Sequence, residues 1–202
     1  MNKSQPSDRT TDYYERNAAA FARDTSSLDI SHLYLEFLPL IPTGGKILDA
    51  GCGSGRDSVY FKHQGFSVTA FDASREAAQI ASRAIAQPVN VMTFLDVKSI
   101  EEFDGIWACA SLLHVPQTQM DEVLSCLSRS LKIGGVIYVS FKYGRYEGER
   151  SGRFFNDYDE AKLTTLLNKH PELNSQKVWQ TRDCRPSKPN TRWLNVILKK
   201  SF

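Results

Sequence analysis

Between Lys46 and Ser58 the chain reads KILDAGCGSGRDS. Its alternate glycines, Gly51, Gly53 and Gly55, allow the backbone to turn sharply and come close to a ligand. If a strand precedes this turn and a helix follows it, the unpaired amides at the helix start favour a negative group. Two phosphate fingerprints do not fit. G-x-G-x-x-G would need glycine where Arg56 or Ser58 stands, and no G-K-[ST] follows, so the nicotinamide reading is weakened and the P-loop reading removed. Asp72, 21 residues after Gly51, closes the run FSVTAFD, where a carboxylate can accept hydrogen bonds from ribose hydroxyls. Asp96 follows a third run in FLDV. With Asp49, three carboxylates end successive runs, which suits a ligand rich in donors and carrying positive rather than phosphate charge. For Asp49 alone, helix capping is a second reading.

Further along the chain, His114 in LLHVP could take a substrate proton or bind its anion; packing or helix capping is the other reading. His32, His63 and His170 fall on helical, exposed-looking stretches without metal-ligand spacing, and no metal is expected. Tyr13, Tyr14 and Phe21 stand on one N-terminal helix, where aromatic faces could cover a cation or simply pack. The pattern assigns Tyr14 to packing and Tyr13 to the pocket. Lys142, Arg145, Arg150 and Arg153, with Glu147 and Glu149 among them, read either as a solvated turn or as a lid for a carboxylate or phosphate. Arg182, Arg185, Lys188 and Arg192 form a second basic cluster around Pro186 and Pro189.

These residues need a frame. Tyr14, Ala18, Phe21 and Ala22 repeat with helical spacing, as do Ile30, Leu33, Tyr34, Phe37 and Leu38, so two helices precede the first strand. Then strand-sized apolar runs alternate with helices: Ile47-Leu48, a helix closing at Gly65, the run to Asp72, and a helix starting near Ser74. Val89 to Leu95, a capping-box spacing at Ser99–Glu102, and Gly105 to Ala110 follow. Next comes a helix with Pro116 in its first turn and Met120, Val123, Leu124, Leu127 and Leu131 on one stripe, stopping at Gly134-Gly135 before the strand Val136–Phe141. This alternation predicts an α/β fold with a mostly parallel sheet covered on both faces. A polar stretch and a short helix follow, then Gln176–Thr181 and Thr191–Lys200. The nine residues between these last runs are too few for a helical crossover, so they pair antiparallel.

At this point the residues resemble a known family. DAGCGSGRD, Asp72 after the second strand, LDV after the third and FDGIWACASLLHVP before a helix are similar to the class I S-adenosylmethionine-dependent methyltransferases, among them the tellurite-resistance-like small-molecule group. The resemblance covers about residues 40 to 141. It implies a Rossmann-like, seven-stranded sheet of order 3-2-1-4-5-7-6 with strand 7 antiparallel. It also implies that S-adenosyl-L-methionine is the cofactor and S-adenosyl-L-homocysteine the product. Gly51, Cys52, Gly53 and Gly55 would surround the methionine part with Asp49 near its amino group, and Ala110 and Ser111 would line the same arm. Asp72 with Ala73 would hold the ribose, Asp96 and Val97 the adenine. N-terminal helices cover the cofactor in such proteins, which gives Tyr13 its place.

Composition bounds the rest. The 202 residues, 41% hydrophobic and 24% charged, fit one globular domain, 1–202, with an N-terminal helical cap at about 1–40. The formal charge of +2 is too balanced for a whole surface that holds nucleic acid. It is unevenly spread, with 12 basic and 16 acidic residues up to position 140 but 13 and 7 beyond it, a net of −4 against +6. No long apolar block suggests a leader or membrane span. Cys52, Cys109, Cys126 and Cys184, spaced 57, 17 and 58 apart, match neither a zinc site nor a disulfide framework, which points to reduced thiols in the cytoplasm. The resulting expectation is methyl transfer to a small-molecule acceptor by a monomer or homodimer, with His114 as candidate base. Arg145, Arg150 and Arg153 would suit an anionic substrate. An RNA (tRNA base) methyltransferase ranks behind this because no separate RNA-binding part is evident, and a non-catalytic cofactor-binding partner subunit is the third reading. The absence of an Asn-Pro-Pro-Tyr-type motif argues against DNA or protein-amide methylation.

Overall fold

The structure, a computed structural model, describes residues 6–202. The first five residues of the expected cap lie outside the described residues. The predicted alternation is realised. Two helices, α1 (Pro6–Thr25) and α2 (Ser31–Phe37), precede β1 (Lys46–Ala50). Then come α3 (Arg56–His63), β2 (Ser67–Asp72), α4 (Arg75–Ile85), β3 (Asn90–Val91), β4 (Phe103–Ala108), α5 (Gln117–Ser130) and β5 (Leu131–Lys142). A hairpin of β6 (Glu147–Arg150) and β7 (Arg153–Asn156) leads to α6 (Glu160–Leu167), β8 (Leu173–Arg182) and β9 (Arg192–Lys200).

The seven-stranded sheet has the order β3-β2-β1-β4-β5-β9-β8. Only β9 runs against its neighbours, pairing antiparallel with both β5 and β8. With β8 and β9 as the sixth and seventh strands of the sheet, this is the order and direction expected from the resemblance. Period-two alternation assigns side chains to the two faces. Ile106, Ile137 and Val139 pack under Met120, Val123, Leu124 and Leu127 of α5. Trp107 and Tyr138 point the other way and stack at 4.0 Å between ring centres, against Tyr34, Phe37 and Phe61. Each of these fully buried side chains contributes roughly 1.5 to 3 kcal/mol relative to exposure.

Four local expectations change. The run Val89–Leu95 is a strand only at Asn90–Val91, because Thr93 and Asp96 form a capping box that closes a 3-10 turn at Phe94–Asp96. The box expected at Ser99–Glu102 starts no helix; the amides of Glu101 and Glu102 bond instead to the carbonyls of Arg129 and Ser130. Helix α5 stops at Ser130 rather than at Gly134, because Leu131 already pairs with Phe103 in the sheet. The polar stretch after Phe141 is a hairpin, with Glu149 opposite Phe154 and Arg150 opposite Arg153. No helix among the described residues is long and apolar enough to cross a membrane.

Candidate active site

A cleft of about 640 Å³ runs along the edge of the sheet where β2, β1, β4 and β5 end and β9 begins. Its floor is the glycine turn. Gly51, Gly53 and Gly55 have φ of +82°, +55° and +80°, a region L side chains avoid. The amides of Gly51 and Cys52 both donate to the Phe71 carbonyl at 2.9 Å, which ties the turn to β2. A Cβ on Gly51 would stand 2.6 Å from the Ser111 Cβ, and one on Gly55 would press on Ala81 and Ile85. Close packing therefore adds to the left-handed backbone in demanding glycine at position 51, while at position 55 the neighbours would have to give by a few tenths of an ångström. Asp72 closes the turn from the side, accepting from the Gly53 amide at 2.8 Å and the Ser74 amide at 2.9 Å. Burial pushes its carboxyl above the usual carboxylate range, against these two bonds.

Asp49 lies beneath the turn rather than in the cleft wall. It is buried, accepts from the Ser58 hydroxyl at 2.6 Å, and is pushed upward in pKa by burial and by nearby Asp57. Gly55 lies outside the wall as well, as the residue that starts α3. The sequence reading missed the pair that follows it. Asp57 accepts from the Tyr34 hydroxyl at 2.6 Å, the Trp107 indole at 2.8 Å and the Arg56 guanidinium at 2.6 Å, and both Arg56 and Asp57 line the cleft. Burial opposes the Arg56 charge, but Asp57 outweighs it and holds the guanidinium protonated. Their place directly after the third glycine was the available signal.

The opposite wall is assembled from distant segments. Ala110, strained at φ +52°, donates its amide to the Ser140 hydroxyl, and Ser111 donates to the Ala50 carbonyl at 2.7 Å. His114 sits in the wall with Nδ1 2.6 Å from the Phe154 carbonyl and Nε2 3.1 Å from the Tyr14 hydroxyl. A carbonyl only accepts, so Nδ1 carries the proton and the bare Nε2 accepts from Tyr14. Burial, and after it Arg153, Lys142 and Arg150, drives the imidazole pKa down to about 3. Both nitrogens are engaged and the proton affinity is low, which favours the packing reading of His114 over its reading as a base.

The aromatic assignment is reversed. Tyr14 faces the cleft, while Tyr13 packs edge-on against it, lies under Arg153 and lines no part of the cleft wall. The cause is the rotation of α1, set by Tyr14 meeting His114 and Arg153. Of the three arginines, Arg150 and Arg153 line the cleft, with Lys142 beside them. Arg145 does not; it is exposed and paired with Asp159 at the start of α6. From the second basic cluster Arg182, Arg185 and Lys188 reach the cleft, with Arg185 held by Asp183. Asp96 is exposed and turned onto Thr93, whose amide and hydroxyl it accepts, and this lowers its pKa. The wall there is Met92 to Leu95, and Val97 is buried behind it. Cys52 and Ala73 lie in the wall as expected. His170 is buried rather than exposed, between Asp121 and Glu172.

A glycine turn and a strand-ending acid on an open sheet of this order define the class I methyltransferase fold. The family described as "Methyltransferase domain" matches residues 21–170, and the chain belongs to it. Among curated proteins, the ubiquinone biosynthesis O-methyltransferase of Pasteurella multocida is 32% identical over 114 residues, 48% of this chain and 46% of that protein. The chain spans about half the length of the curated relatives it matches. Among solved structures, the Burkholderia thailandensis 1,6-didemethyltoxoflavin-N1-methyltransferase, with bound 1,6-didemethyltoxoflavin and S-adenosylhomocysteine, has a TM-score of 0.75 at 20% identity. It covers 100% of this chain and 93% of its own. The magnesium protoporphyrin IX methyltransferase of Synechocystis, with bound S-adenosylmethionine, has a TM-score of 0.72 at 17% identity over 98% of this chain and 99% of its own.

Proposed function

We propose that the protein transfers the methyl group of S-adenosylmethionine to a small organic acceptor carrying negative charge. The observation that supports this most is the polarity of the cleft. Its β2 end holds Asp72 and the glycine backbone, and its β5 end holds Lys142, Arg150 and Arg153. The first end fits the adenosyl group. The turn brings bare backbone to the cleft surface, and each Asp72 oxygen, already taking one amide bond, has capacity for a ribose hydroxyl. Asp96 is turned onto Thr93, so the adenine edge is assigned to the stretch Met92 to Leu95 that lines this part of the cleft. Tyr14 and Phe21, packed edge-on at 5.1 Å, cover this end from α1 and suit a sulfonium.

The bound cofactor supplies an electrophilic methyl group, so no protein nucleophile is required. What the chain provides is alignment and exclusion of water: α1 closes the cleft from above and the β6–β7 hairpin closes its far end. The spacing of the four cysteines, which matches no disulfide framework, supports a reducing, cytoplasmic setting. The relatives named for ubiquinone biosynthesis, for 1,6-didemethyltoxoflavin and for magnesium protoporphyrin IX support a small-molecule acceptor. Calorimetric titration with S-adenosylhomocysteine tests the reading. Binding is expected, and Asp72→Ala should weaken it by about 1.5 to 3 kcal/mol, the range for a lost hydrogen bond to a charged group. Unchanged affinity in that variant rules out the ribose placement.

A further inference from the structure

At the β5 end of the cleft three cations converge on one ring. The Lys142 ammonium stands 4.2 Å, the Arg150 guanidinium 4.5 Å and the Arg153 guanidinium 5.2 Å from the centre of Phe155. One carboxylate, Asp157, answers them, and it is paired with Arg150. The Lys142 ammonium meets only the face of Phe155 and has no hydrogen-bond or ion-pair partner among the described residues. The Nε atoms of Arg150 and Arg153 are buried without a partner. Like charges crowded in this way are costly unless an anion lies among them.

The same region lacks an imidazole or carboxylate ready to take a proton. His114 has both nitrogens occupied. The carboxylates of the cleft already accept: Asp57 from Tyr34, Trp107 and Arg56, Asp72 from two amides, and Asp183 from Arg185 and Trp193. Below about pH 8, where Lys142 carries its proton, a neutral acceptor X–H would find no free carboxylate or imidazole here, whereas its anion would find three cations.

Resting on the methyl-transfer reading, we propose that the acceptor is an acidic X–H compound, an enol, phenol or ring N–H, bound as its conjugate base with the ionised atom against Lys142 and Arg153. The proton is left in solvent on binding. The acceptor's lone pair forms the new bond to the methyl carbon while the carbon–sulfur bond breaks and its electron pair goes to sulfur. Both charges vanish and no protein group changes protonation. Cations within about 4 to 6 Å lower an acid's pKa by about one to three units, which is the activation a base would otherwise supply. Lys142 is faced by Arg150 of β6, Arg153 of β7, Asp157 after β7 and Arg185 of the β8–β9 loop. Burial first, then the two hairpin arginines, lowers its pKa to about 8, so anion binding should weaken above that pH.

The test uses 4-nitrophenol, whose anion absorbs in the visible, added to the full chain loaded with S-adenosylhomocysteine below the probe's own pKa. The phenolate band should appear on binding, with about tenfold more anion than in buffer, corresponding to a shift of one unit. Lys142→Met should abolish the band while keeping S-adenosylhomocysteine affinity, which shows that the variant is folded. The uncharged methyl ether, 4-nitroanisole, should not compete. A bound probe that keeps the neutral spectrum, no binding at millimolar probe, or a band unchanged in Lys142→Met each overturns the proposal. Absence of S-adenosylhomocysteine binding would instead count against the methyl-donor reading itself.

Discussion

Gly51 and Gly53 share a left-handed backbone but not a neighbourhood. At Gly51 a side chain meets Ser111, whereas at Gly53 nothing lies closer than Phe21 at 3.9 Å. Gly51→Ala should therefore cost about 2 to 4 kcal/mol, from backbone strain and overpacking together, and Gly53→Ala only about 1 to 2 from strain. Urea unfolding measures both, and equal losses would contradict the packing argument. His114 gives a pH dependence. Its folded pKa of about 3 lies below the unfolded value, so only the unfolded chain takes up a proton as pH falls through about 6.5. Its contribution is complete above that pH and is lost at about 1.4 kcal/mol per unit between pH 6 and 4. Replacing it by Asn should flatten that part of the stability–pH curve. At this scale the sequence was half legible. The glycines and Asp72 announce themselves by turn stereochemistry and by their place at a strand end. The tautomer of His114 and the direction of Asp96 depend on partners no spacing reveals.

Helix α1 and the β6–β7 hairpin form one side of the cleft, and their join is specific. The Phe154 amide donates to the Thr10 hydroxyl at 2.9 Å, and Arg9 pairs with Glu149 at 2.5 Å. The ion pair is about half exposed and contributes little. The buried Thr10 bond matters more, since its loss strands a buried amide. Thr10→Val should cost about 1 to 3 kcal/mol and raise the exchange rate of the Phe154 amide. Exchange unchanged at Phe154 would show that the hairpin stands without α1. The helix was readable from its spacing. The hairpin was not, because its alternation is broken by glycines and its outward residues are all polar. The hairpin is held to α1 through Thr10 and to the start of α5 through the Gln117 backbone amide, which donates to the Glu147 carboxylate.

Across the whole molecule the uneven charge of the chain becomes a polarity of the cleft. The basic residues beyond position 140 supply Lys142, Arg150, Arg153 and Arg185 at one end, and the acidic first part supplies Asp72 at the other. Because the cleft joins segments from α1 to β9, a ligand bound there stabilises the entire cooperative unit. S-adenosylhomocysteine at 100 times its dissociation constant should add about 2.7 kcal/mol. For a chain of this length that is about 5 to 10 °C in Tm, read by thermal scanning. NAD at the same concentration should leave Tm unchanged, and an equal shift would revive the dinucleotide reading.

From the sequence alone came the alternation of strands and helices, the terminal antiparallel pair, the glycine turn and the acid that ends β2. All of these arise from interactions a few residues apart: side-chain periodicity, turn stereochemistry and the short span between β8 and β9. Tertiary structure decided that Tyr14 rather than Tyr13 enters the cleft, that His114 is neutral and fully bonded, and that Arg145 points away. It also decided that three cations gather on Phe155. Those outcomes rest on contacts such as Tyr14 with His114 and Arg153, 100 and 139 residues apart, and helical spacing cannot encode the rotation of α1 that such contacts impose.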